Sequence, residues 1–261
     1  MGSPIHAAPA GGSGGDVASL AKAAQNPIAS MISVPFQNNT NFDVGPENKT
    51  QNILNIQPVI PFSLNEDWNL ITRTILPVIS QPAFTPGGNR TNGIGDVQFS
   101  AFFSPKAPTA GGWIWGVGTI AELDTASDDQ LGSGKWSLGP TAVALKASGP
   151  WVFGALINNL WDVAGSDTNG DVNKMLIQPF LNYNFPSKPG RYLTTAPIIT
   201  ANWEADSGEK WTLPIGGGIG QIVRVGSVPV NFQASAYYNM DKPDNAGFWQ
   251  VRLQAQLLFP K

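Results

Sequence analysis

The segment FWQVRLQAQLLFPK, residues 248–261, alternates between two chemistries. Every second side chain from Trp249 to Phe259 is apolar, whereas the positions between them carry mostly amide and guanidinium groups, for example Gln250 and Arg252. A period of two is typical of a β-strand with two unlike faces. The class of protein therefore depends on which face meets the solvent, and on whether that solvent is water or lipid.

The same alternation recurs from Ser30 to the end of the chain and predicts twelve strands. Each is about 11–14 residues long, about twice the usual strand and sufficient for a tilted membrane crossing. Compact turns such as ASGP alternate with longer polar loops such as DTASDDQLGSG, which is typical of bacterial outer-membrane barrels. The expected strand ranges are 30–42, 51–62, 68–80, 95–105, 112–123, 135–146, 151–162, 173–185, 191–203, 211–224, 229–240 and 248–259.

We therefore predict an all-β protein, a transmembrane antiparallel β-barrel of about twelve strands over residues 29–261. Residues 1–28 are expected to form a flexible N-terminal segment, a plug or a periplasmic extension. Within it, DVASLAKAAQNP predicts a short helix capped by Asp16 and ended by Pro27. Residues 1–15 are rich in small residues and predict disorder. No signal peptide is recognisable, so we expect that a leader has been removed or replaced.

Composition narrows the function classes. Only 13% of the 261 residues are charged and the net charge is −3, with no basic block, so we expect no nucleic-acid partner. The chain has no cysteine and one histidine, His6, so we expect no metal and no cofactor. No strand histidine is available to activate a serine, and we therefore predict that the protein is not an enzyme.

Eight tryptophans lie at or near the ends of predicted strands. Indole rings favour the headgroup level of a membrane, so their positions predict two interfacial girdles and contact with outer-membrane lipids. The expected membrane-interface residues are Trp68, Trp113, Trp136, Trp151, Trp161, Trp203, Trp211 and Trp249.

Alternating strands also occur in soluble sandwiches and lipocalin-like barrels, whose apolar faces point inward. A soluble protein would place the polar faces outside, but here these faces are rich in Gln, Asn, Ser and Gly and carry few charges. Strand length, loop asymmetry and tryptophan placement favour the membrane barrel. Folding in buffer without detergent would indicate the soluble alternative.

The polar faces are predicted to line a lumen. An outward Arg73 at mid-membrane would cost about 2–4 kcal/mol, so we expect it to point inward. Two interpretations stay open: the inward charges neutralise one another across a filled barrel, or they set the selectivity of a narrow pore. The expected permeation-path residues are Arg73, Asp96, Gln98, Glu122, Gln178, Asn182, Arg224, Asn231, Gln233, Gln250, Arg252 and Gln254.

Glycine and proline positions give two further expectations. Inward glycines, including Gly116 and Gly220, are expected to widen the lumen or to permit bulges. Prolines inside strands remove hydrogen-bond donors, so we expect bulges or weakened pairing at Pro77, Pro179 and Pro197.

Several long stretches resemble a known family: QNPIASMISVPFQNN (26–39), NLITRTILPVI (69–79), GIGDVQFSAFFSPK (93–106), SDDQLGSGKWSLGP (127–140) and ITANWEADSGEKWTLPIGGGIG (199–220). The family is the proteobacterial outer-membrane channels known as the MetA-pathway of phenol degradation family, and the resemblance covers the chain from about residue 18. It implies a twelve-stranded barrel and passive uptake of small hydrophobic or aromatic molecules, and it supplies no catalytic residues.

The sequence thus predicts a monomeric channel in the outer membrane of a Gram-negative bacterium, gated by its long loops and by residues 16–28. Two alternatives remain beside the soluble one. An outer-membrane enzyme acting on lipid would release fatty acid from phospholipid, and a closed structural barrel would carry no current across a bilayer.

Overall fold

The structure is a computed structural model and describes residues 14–166 and 168–260. Helix α1 spans Gly14–Ala24, so it begins before the expected start at Asp16 and ends before Pro27. Residues 1–13, His6 among them, and the Asp16 side chain lie outside the described residues and side chains. Among the described residues, no helix is long and apolar enough to span a membrane.

Fifteen strand segments follow the helix in chain order. They are β1 (Ile32–Val44), β2 (Lys49–Ile56), β3 (Val59–Ser63), β4 (Trp68–Gln81), β5 (Thr91–Ile94), β6 (Val97–Pro105), β7 (Trp113–Leu123), β8 (Lys135–Ser148), β9 (Trp151–Gly165), β10 (Asn173–Asn184), β11 (Arg191–Thr195), β12 (Ile199–Asn202), β13 (Trp211–Val225), β14 (Val228–Asp241) and β15 (Trp249–Phe259).

The segments form one closed antiparallel barrel of twelve strands, as predicted. Fifteen segments make twelve wall strands because three of these strands are each interrupted once. The interruptions lie between β2 and β3, between β5 and β6, and between β11 and β12. The wall closes where β15 pairs with β1, from Ile32 opposite Phe259 to Phe42 opposite Trp249.

The apolar face of the last strand points outward. Leu253 is 54% exposed, whereas its neighbour Arg252 is 2% exposed. The same arrangement continues around the wall, where large apolar side chains such as Phe103, Val117 and Ile219 are also exposed. Apolar side chains on the outside and polar side chains on the inside are typical of a barrel that faces lipid.

The two ends of the barrel differ. Helix α1 lies at the end that carries the short turns, such as 149–150 and 226–227, and we name it the helix end. The opposite end carries the longer loops 82–90, 124–134, 166–172, 203–210 and 242–248, and we name it the loop end.

Helix α1 packs into the barrel rather than beside it. Leu20 and Ala21 are buried against Met31, Ile222 and Leu258 at the helix end. Gln25 and Asn184 exchange two amide hydrogen bonds of 2.9 and 3.1 Å, and Lys22 Nζ donates to the carbonyl of Gly149 at 2.9 Å.

Just after the helix, Ile28 enters an apolar cluster that fills the adjoining part of the interior. Every other member of the cluster comes from a wall strand, so the helix end is packed like a protein core. The cluster consists of Ile28, Val59, Ile71, Phe102, Val143, Leu145, Val152, Leu156 and Phe180.

The expectation that inward glycines widen the lumen is wrong at Gly220 and Gly116. A Cβ on Gly220 would lie 2.1 Å from Cζ of the Tyr192 ring, and one on Gly116 would lie 3.3 Å from Cδ1 of Ile28. The space released by each glycine is therefore occupied by a large side chain. Tyr192 is 1% exposed, and its hydroxyl donates to Oδ1 of Asn231 at 2.8 Å.

The prolines lie where pairing fails, as expected. Pro197 lies between β11 and β12, and Pro179 lies opposite this break, between the stretches of β10 that pair with β12 and with β11. Pro77 lies opposite the break between β5 and β6, where its carbonyl accepts a 2.9 Å hydrogen bond from the amide of Gly95.

Candidate functional site

A cavity of about 570 Å³ occupies the interior towards the loop end. One part of its lining is aliphatic, with Ile75, Ile120 and Leu176, and another part is polar, with Gln98 and Lys174. Its volume lies in the range of small-molecule sites, about 300–1,000 Å³. The cavity therefore offers both an apolar surface and hydrogen-bonding groups to a molecule inside the barrel.

A smaller cavity of about 150 Å³ lies on the helix side of the first. Residues 24–27, which follow helix α1, form part of its lining. Four inward side chains from different parts of the wall line both cavities, so the two spaces meet at them. We name this set the Gln–Arg ring; its members are Gln37, Gln57, Arg73 and Gln178.

The break between β2 and β3 positions Gln57 in this ring. Its backbone amide donates to the Pro35 carbonyl at 2.9 Å, and its buried side chain accepts a 2.6 Å hydrogen bond from Nη2 of Arg73. Interruptions of this kind redirect side chains in sheets. Arg73 comes from β4, and its guanidinium makes no other side-chain hydrogen bond within the described part of the chain.

The second inward arginine, Arg252, has many more partners. It donates to Oδ1 of Asn39, to Oε1 of Gln250 and to the carbonyl of Ala196, each at 3.0 Å. Its guanidinium carbon also lies 4.8 Å from the centroid of the Tyr237 ring. Arg252 therefore ties β15 to β1 and to the segment between β11 and β12.

That segment, residues 196–198, bends into the lumen. The Ala196 amide donates to the Tyr237 hydroxyl at 3.3 Å, while its carbonyl accepts from Arg252. Ile198 lines both the large cavity and a further cavity of about 470 Å³ that Gln250 and Arg252 also line. The segment thus helps to divide the loop-end half of the lumen.

An ion pair crosses the large cavity. Lys174 Nζ lies 2.5 Å from Oε1 of Glu122, and Gln98 Nε2 donates to the other oxygen of Glu122 at 2.8 Å. The side chain of Glu122 is 5% exposed and that of Lys174 is 39% exposed. Glu122 is therefore a paired acid that joins distant strands.

Asp96 serves the loop above the cavity. Its carboxylate accepts hydrogen bonds from the amides of Thr125, Ala126 and Ser133 at 3.2, 3.1 and 2.7 Å, and from the Ser133 hydroxyl at 3.1 Å. All of these donors belong to the 124–134 loop. Asp96 thus holds this loop at the loop-end mouth.

The structure brings most of the predicted permeation-path residues to the cavities. Arg73, Asp96, Gln98, Glu122 and Gln178 line the large one. Besides Arg73 and Gln178, the smaller one is lined by Asn182, Asn231, Gln233, Arg252 and Gln254, and Gln250 lines the cavity of about 470 Å³.

Arg224 is placed differently from the expectation. Its side chain is exposed at the helix end of β13, next to the turn 226–227, so it lies at the rim of the barrel. Gly220 and Ile222 point inward, as the alternation along β13 predicts. Arg224 continues this alternation, but the strand has reached the end of the barrel there.

The polar residues that line the site but were absent from the predicted set include Gln37, Gln57 and Lys174. Lys174 shares its strand face with Gln178, and Gln57 shares its face with Asn55, so parity alone could have indicated both. The partner of Lys174 could not be found in this way, because Glu122 lies on β7, with β8 and β9 between it and β10. Arg73 lies on β4, which pairs directly with the segments on either side of Gln57.

The predicted girdle tryptophans occupy both ends of the wall. Trp68, Trp113 and Trp151 begin strands at the helix end, where Trp151 lies 4.8 Å from Tyr183 between ring centroids. The others lie at the loop end, where Trp203 and Trp211 are 5.3 Å apart; that set is Trp136, Trp161, Trp203, Trp211 and Trp249.

The closed twelve-stranded wall, its outward apolar belt and its divided polar interior define a β-barrel with the porin-like fold of outer-membrane channels. Solved structures share this architecture. The COG4313 outer-membrane channel from Pseudomonas putida F1 superposes with a TM-score of 0.68 at 15% identity, over 90% of this chain and 97% of that one. The NanC porin superposes with a TM-score of 0.54 at 10% identity, over 88% of this chain and 100% of that one.

Outer-membrane phospholipase A from Escherichia coli is more distant, with a TM-score of 0.49 and 11% identity over 94% of this chain and 98% of that one. No protein-family model matches the chain. No curated protein matches it by sequence. No group of three metal-ligating side chains occurs among the described residues.

Proposed function

We propose that the protein is an outer-membrane channel of a Gram-negative bacterium that takes up small hydrophobic or aromatic molecules passively. The observation that carries the proposal is the cavity of about 570 Å³, in which aliphatic and amide side chains line one space inside a lipid-facing barrel. An apolar solute can contact Ile75 and Ile120 there, while Gln98 and the Gln–Arg ring accept its polar group.

The path runs from the loop end through the Gln–Arg ring towards helix α1. The two cavities on this path share the ring, and residues 24–27 line the smaller cavity on the helix side. The N-terminal segment therefore obstructs the exit at the helix end. We therefore assign gating to this segment and to the 124–134 loop held by Asp96. The predicted tryptophan girdles anchor the barrel in lipid, and the channel works as a monomer.

Liposome swelling tests the proposal. Purified protein in liposomes is exposed to sugars, amino acids and aromatic acids of similar size, with protein-free liposomes as the control. We expect aromatic solutes to enter faster than sugars, because the cavity lining favours apolar surface. Equal rates for all solutes would contradict the substrate class. The absence of swelling, with and without residues 14–28, would identify a closed barrel.

The proposal includes the absence of enzymatic activity. The same proteoliposomes, made with phospholipid, are assayed for released fatty acid. Sustained release above that of protein-free liposomes would overturn this part of the proposal, since it would require a catalytic site on lipid.

A further inference from the structure

Four charged side chains line the large cavity, and three of them are accounted for within the protein. Glu122 and Lys174 form an ion pair, and Asp96 accepts four hydrogen bonds from the 124–134 loop. The fourth, Arg73, makes one hydrogen bond, to the neutral amide of Gln57. Among the side chains that the structure describes, no carboxylate lies within ion-pair distance of its guanidinium.

Arg73 differs in this respect from Arg252. All three guanidinium nitrogens of Arg252 donate to protein oxygens, and its cation lies near the Tyr237 ring. A guanidinium has five N–H donors in a planar fork that matches a carboxylate. Arg252 is thus a structural arginine, whereas most donors of Arg73 remain available where the two cavities meet.

The position of Arg73 makes this availability significant. It lies in the middle of wall strand β4, opposite Val59 and Ser100, so its charge lies at mid-depth in the barrel. An ionisable group at this depth is costly without compensation and is a candidate functional group by default. An anion bound from the lumen would supply the missing compensation.

The lining of the cavity indicates the shape of this anion. Beside Arg73 it presents Ile75, Phe102, Ile120 and Leu176, which form an apolar surface. One cation without an ionic partner favours a ligand with one negative charge, because Glu122 and Lys174 already neutralise each other.

We propose that the large cavity binds a monocarboxylate with an apolar body. The carboxylate accepts hydrogen bonds from the free N–H groups of Arg73, with Gln57 fixing the guanidinium, and the body lies against Ile75, Phe102 and Ile120. The inference rests on the proposed function only in that the bound acid would be a molecule that the channel takes up.

Binding is measured with 4-phenylbutyrate as the probe and with its neutral amide, 4-phenylbutyramide, as the matched ligand. Isothermal titration on the full chain in non-ionic detergent gives both dissociation constants, after subtraction of titrations into protein-free micelles. We expect the acid to bind at least about tenfold more tightly than the amide, because a hydrogen bond to a charged group adds at least about one factor of ten. Equal affinities, or binding of neither ligand, would overturn the inference.

Arg73→Gln identifies the residue, because it removes the charge and keeps a side chain that can bond to Gln57. We expect this variant to lose the preference for the acid and to bind the amide as the native protein does. Arg224→Gln, at the barrel rim, is the control and should keep the preference. If Arg73→Gln retains it, the assignment fails.

Two further measurements keep the test decisive. A heat-modifiable shift on a gel shows whether Arg73→Gln has folded. If it has not, Arg73→Lys replaces it; this variant keeps the charge without the planar fork and should bind the acid more weakly than the native protein.

Swelling is measured separately. Acid binding without solute entry would contradict the channel and leave this inference standing, whereas solute entry without acid preference would contradict this inference alone.

Discussion

Lys174 on β10 forms an ion pair with Glu122 on β7, with 2.5 Å between Nζ and Oε1, across the two intervening strands β8 and β9. The pair therefore spans a chord of the lumen instead of joining neighbours in the wall. Gln98 on β6 completes it by donating to the second oxygen of Glu122 at 2.8 Å. A chord of this kind both braces the barrel and fixes one charge of each sign inside the large cavity.

Glu122→Gln should make the lumen more selective for anions, because it leaves the Lys174 charge without its partner. The reversal potential across a planar bilayer in asymmetric KCl measures this change. Lys174→Gln should shift the potential in the opposite direction, and the double variant should return close to the native value. Unfolding in urea should show a coupling of about 0.5–1 kcal/mol, since Lys174 is partly exposed. Shifts of the same sign in both single variants would contradict a paired arrangement.

Gly220→Ala should destabilise the barrel by about 1–3 kcal/mol, because its Cβ would overlap the buried Tyr192 ring. Denaturant unfolding measures the loss. The matched control is Gly170→Ala in the 166–172 loop, where a Cβ meets nothing within 4 Å. Combining Gly220→Ala with Tyr192→Ala should cost less than the sum of the two single changes. Full additivity would show that the ring and the glycine do not share one space.

Asp96→Asn should release the 124–134 loop. An amide can replace neither the charge nor all the acceptor positions that the amides of Thr125, Ala126 and Ser133 use, so we expect a local loss of about 2 kcal/mol. Limited proteolysis should cut the loop faster, and current recordings should show more frequent gating events. Asp129→Asn, an exposed carboxylate of the same loop, serves as the control. An unchanged cleavage rate in Asp96→Asn would show that Asp96 does not anchor the loop.

Ala21→Asp should raise the conductance of the channel. Ala21 is 1% exposed in the apolar contact between α1 and the barrel, so a carboxylate there would be buried without a partner and would expel the helix. Single-channel recording gives the conductance, and Ser19→Asp on the exposed side of the helix is the control. An unchanged conductance in Ala21→Asp would show that the helix does not obstruct the path.

The wall could be predicted from the sequence because its pattern is local. Strand β15 alternates apolar and polar side chains from Trp249 to Leu257, with the inward Leu258 as the exception, and its apolar face and its bounds agree with the prediction to within one residue. A strand of this kind has one orientation in lipid, so counting such strands also gave the size of the barrel.

The interior was less accessible, because its contacts join residues that are far apart in the chain. The inward bend at residues 196–198 depends on Arg252 and Tyr237, which the alternation of β11 and β12 cannot reveal. Tyr192 likewise fills the space beside Gly220 only because β11 pairs with β13. Parity indicates which side chains point inward, but only the closed barrel shows which of them meet.

Parity also failed to indicate one outward feature. Asn38 and Asn52 lie on the apolar face of β1 and β2, yet they exchange amide hydrogen bonds of 2.9 and 3.0 Å, and Thr40 donates to Asn38 at 3.1 Å. Each side chain satisfies its neighbour, which lowers the cost of polar groups beside lipid.

The pairing of β1 with β15 has a consequence for assembly. The first and the last strands of the chain form one seam, from Ile32 opposite Phe259 to Phe42 opposite Trp249. A nascent chain that stops before Trp249 leaves β1 and β14 with open edges, and open edges are not tolerated in hydrocarbon. The cylinder can therefore close only once β15 has been synthesised, because the seam needs a strand from each end of the wall.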